Sequence, residues 1–176
     1  MRKNFFLGLF LLAAGLSGGC RSAASTAAIP AVTPFELDRY LGRWYEIARL
    51  PHYFERDMTA VTADYSLRPD GKIRVVNSGV RDGNPHSATA VAVPGGDQET
   101  GMLRVSFFRP FYADYRIIHL EPDYSAAIVT SGTTDYLWIL ARSPQISASQ
   151  LNDYLNRIRN WGFDVEKLEY PQAGSE

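Results

Sequence analysis

Cys20 is the only cysteine in the 176 residues, which excludes a disulfide framework and a thiolate metal site. The three histidines, His52, His86 and His119, are scattered rather than set at zinc-ligand spacing, so neither a metal nor another cofactor is expected. Basic residues are not in excess. Eighteen Lys and Arg stand against 19 Asp and Glu, a net charge of −1, and a chain without a positive field is a poor partner for nucleic acid. The long apolar run Phe5 to Leu16 falls short of the ~20 residues that a membrane-spanning helix needs. What is present is 45% apolar and 12% aromatic content, enough side-chain area for a core and against disorder. A single barrel or sandwich domain accommodates this length.

The first segment reads as an address. Arg2 and Lys3 precede the apolar run, and small residues, Ser17-Gly18-Gly19, lead to Cys20, the order of a secretory signal. The ending resembles a bacterial lipobox, whose cysteine is acylated and becomes the mature N-terminus, although Ser17 stands where a bulky aliphatic residue is usual. Ordinary signal cleavage nearby is the alternative. Residues 1–19 are therefore expected to be a lipoprotein signal peptide. Residues 20–34 are expected to be the acylated cysteine and a flexible tether, because the stretch is small, polar and proline-punctuated with no periodic apolar face. Residues 35–176 form the expected folded domain. Arg21 after the cysteine resembles the sorting pattern for the outer membrane.

From Arg43 onward, short segments rich in β-branched and aromatic residues alternate with turn signals. Eight strands are predicted: 44–49, 59–67, 72–80, 88–93, 102–108, 112–120, 124–131 and 135–142. Turns are read at Pro69-Asp70-Gly71 and at Asp82-Gly83-Asn84-Pro85, among others. An even number of consecutive hairpins closes on itself and leaves no exposed edge. The fold class is thus all-β, an eight-stranded antiparallel up-and-down barrel. After Pro144 the period changes: Leu151, Tyr154, Leu155, Ile158 and Trp161 make one helical apolar stripe, with Ser147 and Gln150 as a capping box and Gly162 as the stop. One C-terminal α-helix should pack outside the barrel through that stripe.

The stretch from Phe35 to Arg49, centred on Gly42-Arg43-Trp44, resembles the first signature of the lipocalins. Thr134-Asp135-Tyr136 resembles the turn before the last long strand, and Arg142 the arginine near its end. Three motifs in order, over essentially the whole body, identify the chain as a member of that family. WYEIARLP, RVSFFRPFYADY and DYLWILARSP are similar to its bacterial outer-membrane lipoprotein branch. The resemblance implies that Arg142 lies across Trp44 and seals the barrel floor, worth about 0.5–2 kcal/mol as a cation–π contact. Gly42 then supplies the close approach or positive φ at the strand entry. These three are expected to be structural.

Strand alternation gives one parity to the interior. With Trp44 inward, Glu46 and Ala48 share its face while Tyr45, Ile47 and Arg49 face out. With Arg142 at the floor, Tyr136, Trp138 and Leu140 face in. Leu103, Val105 and Phe107 are read as inward. For 112–120 two parities stand open, Tyr115, Ile117 and His119 or Arg116, Ile118 and Leu120, and a bulge would shift either. The candidate ligand-binding residues are Glu46, Leu103, Val105, Phe107, Tyr115, Ile117, Tyr136, Trp138 and Leu140. An inward Glu46 must find a hydrogen-bond partner or take up a proton. An apolar lining with a few tyrosines suits an acyl chain, since each buried methylene contributes about 0.8 kcal/mol without directional demand.

The resemblance to the bacterial branch implies a fatty acid or lysophospholipid as ligand. It also implies storage or transport at the outer membrane, on its periplasmic side, through an N-terminal lipid anchor, and it allows homodimers. Two alternatives are weighed beside the carrier. A lipid-modifying enzyme on the same barrel lacks an evident nucleophile or Ser-His-Asp order. A filled barrel would act only as an envelope interaction module. No catalytic residue is assigned.

Overall fold

The computed structural model describes residues 23–172. A short helix, α1 (Leu37–Tyr40), precedes eight strands: β1 (Gly42–Arg49), β2 (Thr59–Leu67), β3 (Ile73–Arg81), β4 (Asn84–Pro94), β5 (Met102–Phe108), β6 (Phe111–Leu120), β7 (Ala126–Thr130) and β8 (Leu137–Ala141). Helix α2 (Ala148–Asn160) follows. Each strand pairs antiparallel with the next, and β8 returns to β1, closing the barrel. No exposed sheet edge remains among the described strands.

The strands run alternately between a floor, where β1 begins, and a mouth, where it ends. At the mouth the β3–β4 hairpin turns on two residues, Asp82 (φ 52°) and Gly83 (φ 72°), because a mirror-image turn matches the twist of its strands. Sequence reading ended the strand there with Asn84-Pro85. Both instead belong to β4, Asn84 opposite Arg81 and Pro85 opposite Val80. The Asp-Gly pair alone makes the turn.

Two apolar clusters lie on opposite faces of the sheet. The inner one joins Trp44, Tyr65, Val75, Leu103, Ile117, Val129 and Leu140. The outer one joins Ile47, Ile118, Ile128 and Ile139 to Tyr154 and Ile158 of α2, with Leu151, Leu155 and Trp161 packed at its margin. Strand β7 contributes to both and is buried along its whole length. The helix stripe is therefore used as expected, against its own barrel. Ser147 caps α2 by accepting from the Gln150 backbone N–H at 3.2 Å.

Two bulges overturn strict alternation. A register shift between Glu46 and Ala48 in β1 turns Ala48 toward the outer cluster and brings Arg49 against buried Glu46. A second shift, between Ile117 and His119 in β6, mixes the two parities left open. Tyr115 and Ile117 are inward, Ile118 outward, His119 beside the ring of outer Tyr154, and Leu120 inward again.

The expected tether is also corrected over its described part. Residues 24–34 form a strap along the barrel wall. Ala24 and Thr134 exchange two hydrogen bonds, N–H to Oγ1 at 3.0 Å and N–H to carbonyl at 2.9 Å, and Ser25 bridges Thr133. Arg116 from β6, 8% exposed, donates to the carbonyls of Thr26 and Ile29, and Val32 donates to Ile117 at 2.9 Å. Apolar contacts add to these hydrogen bonds, since Ile29 is buried in the outer cluster and Val32 packs against the inner one.

Candidate functional site

Trp44 lies fully buried at the floor, and its indole N–H donates to the Tyr40 carbonyl of α1 at 2.8 Å. The Arg142 guanidinium carbon stands 3.8 Å from the Trp44 ring centroid. Its nitrogens reach the carbonyls of Arg43 (2.8 Å), Arg39 (2.8 Å) and Leu41 (2.9 Å), with Tyr124 at 3.4 Å. Gly42 has φ +94°, and that backbone conformation is what favours glycine, since a Cβ there would meet Arg142 Nη1 at 3.4 Å, an ordinary contact distance. One cation thus ties together α1, β1 and the β7 approach.

Above the floor a cavity of about 680 Å³ opens toward the mouth. That lies within the ~300–1,000 Å³ of small-molecule pockets, and it shows that the barrel is not filled with side chains. Of the nine residues singled out from sequence, Glu46, Val105, Phe107, Tyr115, Tyr136, Trp138 and Leu140 line it. Leu103 and Ile117 do not: at 4% and 0% exposure they are packed into the inner cluster below the cavity. Cys20 lies outside the described residues.

Two tyrosines, Tyr65 and Tyr115, line the cavity, and a third, Tyr40, is buried beneath them. Tyr115 Oη is 2.7 Å from Tyr40 Oη and 2.8 Å from Tyr65 Oη. Burial holds all three phenols above their ordinary pKa, so they remain neutral and share protons among themselves. Tyr40 and Tyr65 were missed from sequence. Tyr40 sits in a four-residue helix with no legible period, whereas Tyr65 shares the apolar parity of Val61 and Ala63 against Thr62, Asp64 and Ser66, an alternation that could have placed it inward.

Higher on the wall, Arg49, 2% exposed, donates to Glu46 at 2.8 Å, to Glu169 at 3.1 Å and to the Glu55 carbonyl at 2.8 Å. The Glu55 carboxylate, also buried, receives the Trp138 indole N–H at 3.3 Å. His52 Nε2 lies 3.0 Å from Glu55 Oε2, a close polar contact that lacks hydrogen-bond geometry. One guanidinium cannot neutralise three carboxylates. Burial first, and then the charge of Glu55, push Glu46 up to about 8 against the pull of Arg49. Glu46 therefore finds a partner and still favours its proton at neutral pH. Arg49, expected to face out, is instead buried beside Glu46 because it follows the bulge, and Glu55 went unread because it ends a single 3-10 turn, Tyr53–Glu55, with no period to place it.

The mouth is aromatic. Tyr53 and Phe54 from the β1–β2 loop, with Phe107 and Phe108 at the end of β5, edge the cavity. His52 stacks on Phe54 with centroids 3.9 Å apart. His86 lines the β4 wall, while His119 pairs with Glu121 at 3.1 Å near α2, so the histidines remain separate. Among the described residues no group of three His, Cys, Asp or Glu is placed to hold a metal ion.

A closed eight-stranded calyx with an arginine laid over the floor tryptophan agrees with comparison to known families, in which the model of a lipocalin-like domain matches residues 35–173. The chain belongs to the lipocalin family. It is 44% identical over 161 residues to the outer membrane lipoprotein Blc of Citrobacter freundii, covering 89% of each chain. It is 41% identical over 162 residues to the protein of that name from Escherichia coli K12, covering 91% of this chain and 92% of that one. Mouse apolipoprotein D is 32% identical over 173 residues, 92% of this lipocalin and 87% of its own chain. Among solved structures, insecticyanin from the tobacco hornworm Manduca sexta superposes with a TM-score of 0.67 at 20% identity, covering 84% and 85% of the two chains; that likeness concerns the fold.

Proposed function

We propose that this lipocalin is an outer-membrane lipoprotein that binds one lipophilic molecule with an acyl chain, a fatty acid or lysophospholipid, reversibly in the barrel. The cavity of about 680 Å³ carries this reading. Its base is shut by the Trp44–Arg142 pair, so a guest has one way in, through the mouth. Val105, Leu140 and Trp138 offer an acyl chain apolar contact, at about 0.8 kcal/mol for each buried methylene. The relatives named as outer membrane lipoproteins support the same location for this chain, with Cys20 as the acylated residue and residues 1–19 as the signal removed.

Binding rather than catalysis is the reading adopted. The most perturbed acid at the cavity, Glu46, is hydrogen-bonded by Arg49, a pairing suited to satisfying a buried wall residue. Titration of the delipidated chain with lysophosphatidylethanolamine and with oleate, followed by tryptophan emission, tests the proposal because Trp138 lines the cavity. Saturable binding of one lipid per chain is expected. No saturable change with either lipid, or their chemical turnover, would refute the carrier role.

A further inference from the structure

Seven large apolar side chains are exposed among the described residues, and five of them, Tyr53, Phe54, Phe107, Phe108 and Phe111, cluster at the mouth. Phe108 and Phe111 are 81% and 77% exposed and face each other across the β5–β6 turn, with Arg109 between them. Tyr53, 78% exposed, projects from the opposite lip, the β1–β2 loop. Aromatics are costly to leave in water, and a basic residue among them suits the boundary between lipid tails and headgroups.

The strap provides a second, independent observation. Its first fixed residues, Ala24 and Ser25, are hydrogen-bonded to Thr133 and Thr134 in the β7–β8 loop, which is also at the mouth. From there the chain runs down the wall to the floor, where Val32 bonds Gly101 and Phe35 bonds Glu99. The polypeptide toward Cys20 therefore leaves from the mouth end. At about 3.3–3.6 Å per extended residue, the three steps from Ala23 to Cys20 reach only ~10 Å. A flexible tether running as far as residue 34 would have let the barrel tumble; the bound strap removes most of that freedom.

We infer that the aromatic mouth docks on the leaflet that holds the lipid anchor, so that the cavity opens directly onto the bilayer surface. This rests on the lipoprotein reading of Cys20, which fixes where the membrane is. The partner is the lipid surface itself. Phe108, Phe111 and Tyr53 enter the headgroup region, the closed floor points away, and an acyl chain passes between leaflet and cavity without crossing bulk water. The acyl anchor and a second, shallow aromatic contact together hold the orientation.

The test uses the full acylated chain in vesicles of phosphatidylethanolamine and phosphatidylglycerol. Acylation occupies the only native cysteine, so Phe108→Cys at the mouth and Asp70→Cys in the floor-side β2–β3 turn each give one free thiol for an environment-sensitive NBD label. Co-flotation with vesicles tests the anchor. Quenching by phosphatidylcholine carrying a doxyl group on its acyl chain tests the orientation. The expected result is co-flotation of both, blue-shifted emission at least twofold quenched at position 108, and no quenching at position 70. Co-flotation with an unquenched 108, or with equal quenching at 70, overturns the docking and leaves the anchor standing. A blue-shifted but unquenched 108 overturns it in favour of a second copy covering the mouth. Failure to float overturns the anchor and the docking together.

Discussion

Removing the Arg142 guanidinium should open the floor of this lipocalin, and its cost follows from the contacts it makes. Arg142→Met loses a cation–π contact at 3.8 Å, worth about 0.5–2 kcal/mol, and three carbonyl hydrogen bonds of 2.8–2.9 Å. A hydrogen bond to a charged group is worth about 1.5–3 kcal/mol when well buried, but this group is only partly buried and the bonds act as a unit. A net loss of about 3–4 kcal/mol is expected, a large share of the ~5–15 kcal/mol that holds a domain of this kind. Arg142→Lys keeps the charge but not the planar fork, and should lose roughly half as much. Arg39 gives the contrast: it also lies over an aromatic ring, Tyr124 at 4.0 Å, but is exposed, and Arg39→Met should cost under ~1 kcal/mol. Urea unfolding followed by tryptophan emission measures all three, with an unchanged denaturant slope required for the comparison. A loss below about 1 kcal/mol in Arg142→Met, or a lysine variant as stable as the parent, refutes the floor-plug argument.

Other perturbations follow from the same contacts. Glu46, pushed up to about 8 where an unfolded chain has its ordinary carboxylate value near 4.5, keeps its proton on folding, so its contribution to stability is fullest below pH 4.5 and falls as pH rises toward 8. Thermal unfolding between pH 5 and 9 should show the parent losing stability relative to Glu46→Gln, and parallel curves would contradict this. Val105→Trp should cut lysophospholipid affinity at least tenfold by occupying the cavity, with a stability change of about 1–3 kcal/mol; undiminished affinity in a titration would place the lipid elsewhere. Arg116→Met should release the strap, seen as faster amide hydrogen exchange at Thr26 and Val32 while β7 stays protected. Ser147→Ala should cost α2 about 1 kcal/mol in urea unfolding, through loss of its N-cap.

Strand order, closure and the outer helix were legible in the sequence because each depends on local signals. The predicted bounds 59–67 and 102–108 coincide with β2 and β5, where turn residues punctuate apolar alternation. Alternation failed where a bulge intervened. Nothing in Tyr45-Glu46-Ile47-Ala48-Arg49 announces the extra residue that turns Ala48 outward and Arg49 against Glu46; that shift is set by pairing with β8, distant in sequence. The strap was unreadable for the same reason. Its partners, Arg116, Ile117, Gly101 and Thr134, are brought beside it only by the finished barrel. Seven of the nine candidate cavity residues surround the space, whereas Leu103 and Ile117 show that an inward side chain near the floor is core and not lining. Parity reports the face of a sheet but not the depth along it.

The most direct test of the carrier reading is native mass spectrometry of the chain extracted from its own membrane. A species heavier than the acylated chain by one phospholipid-derived or fatty-acid molecule is expected, absent from Val105→Trp prepared in the same way. A bare chain in both samples, with no lysophospholipid or oleate taken up on addition, would contradict it.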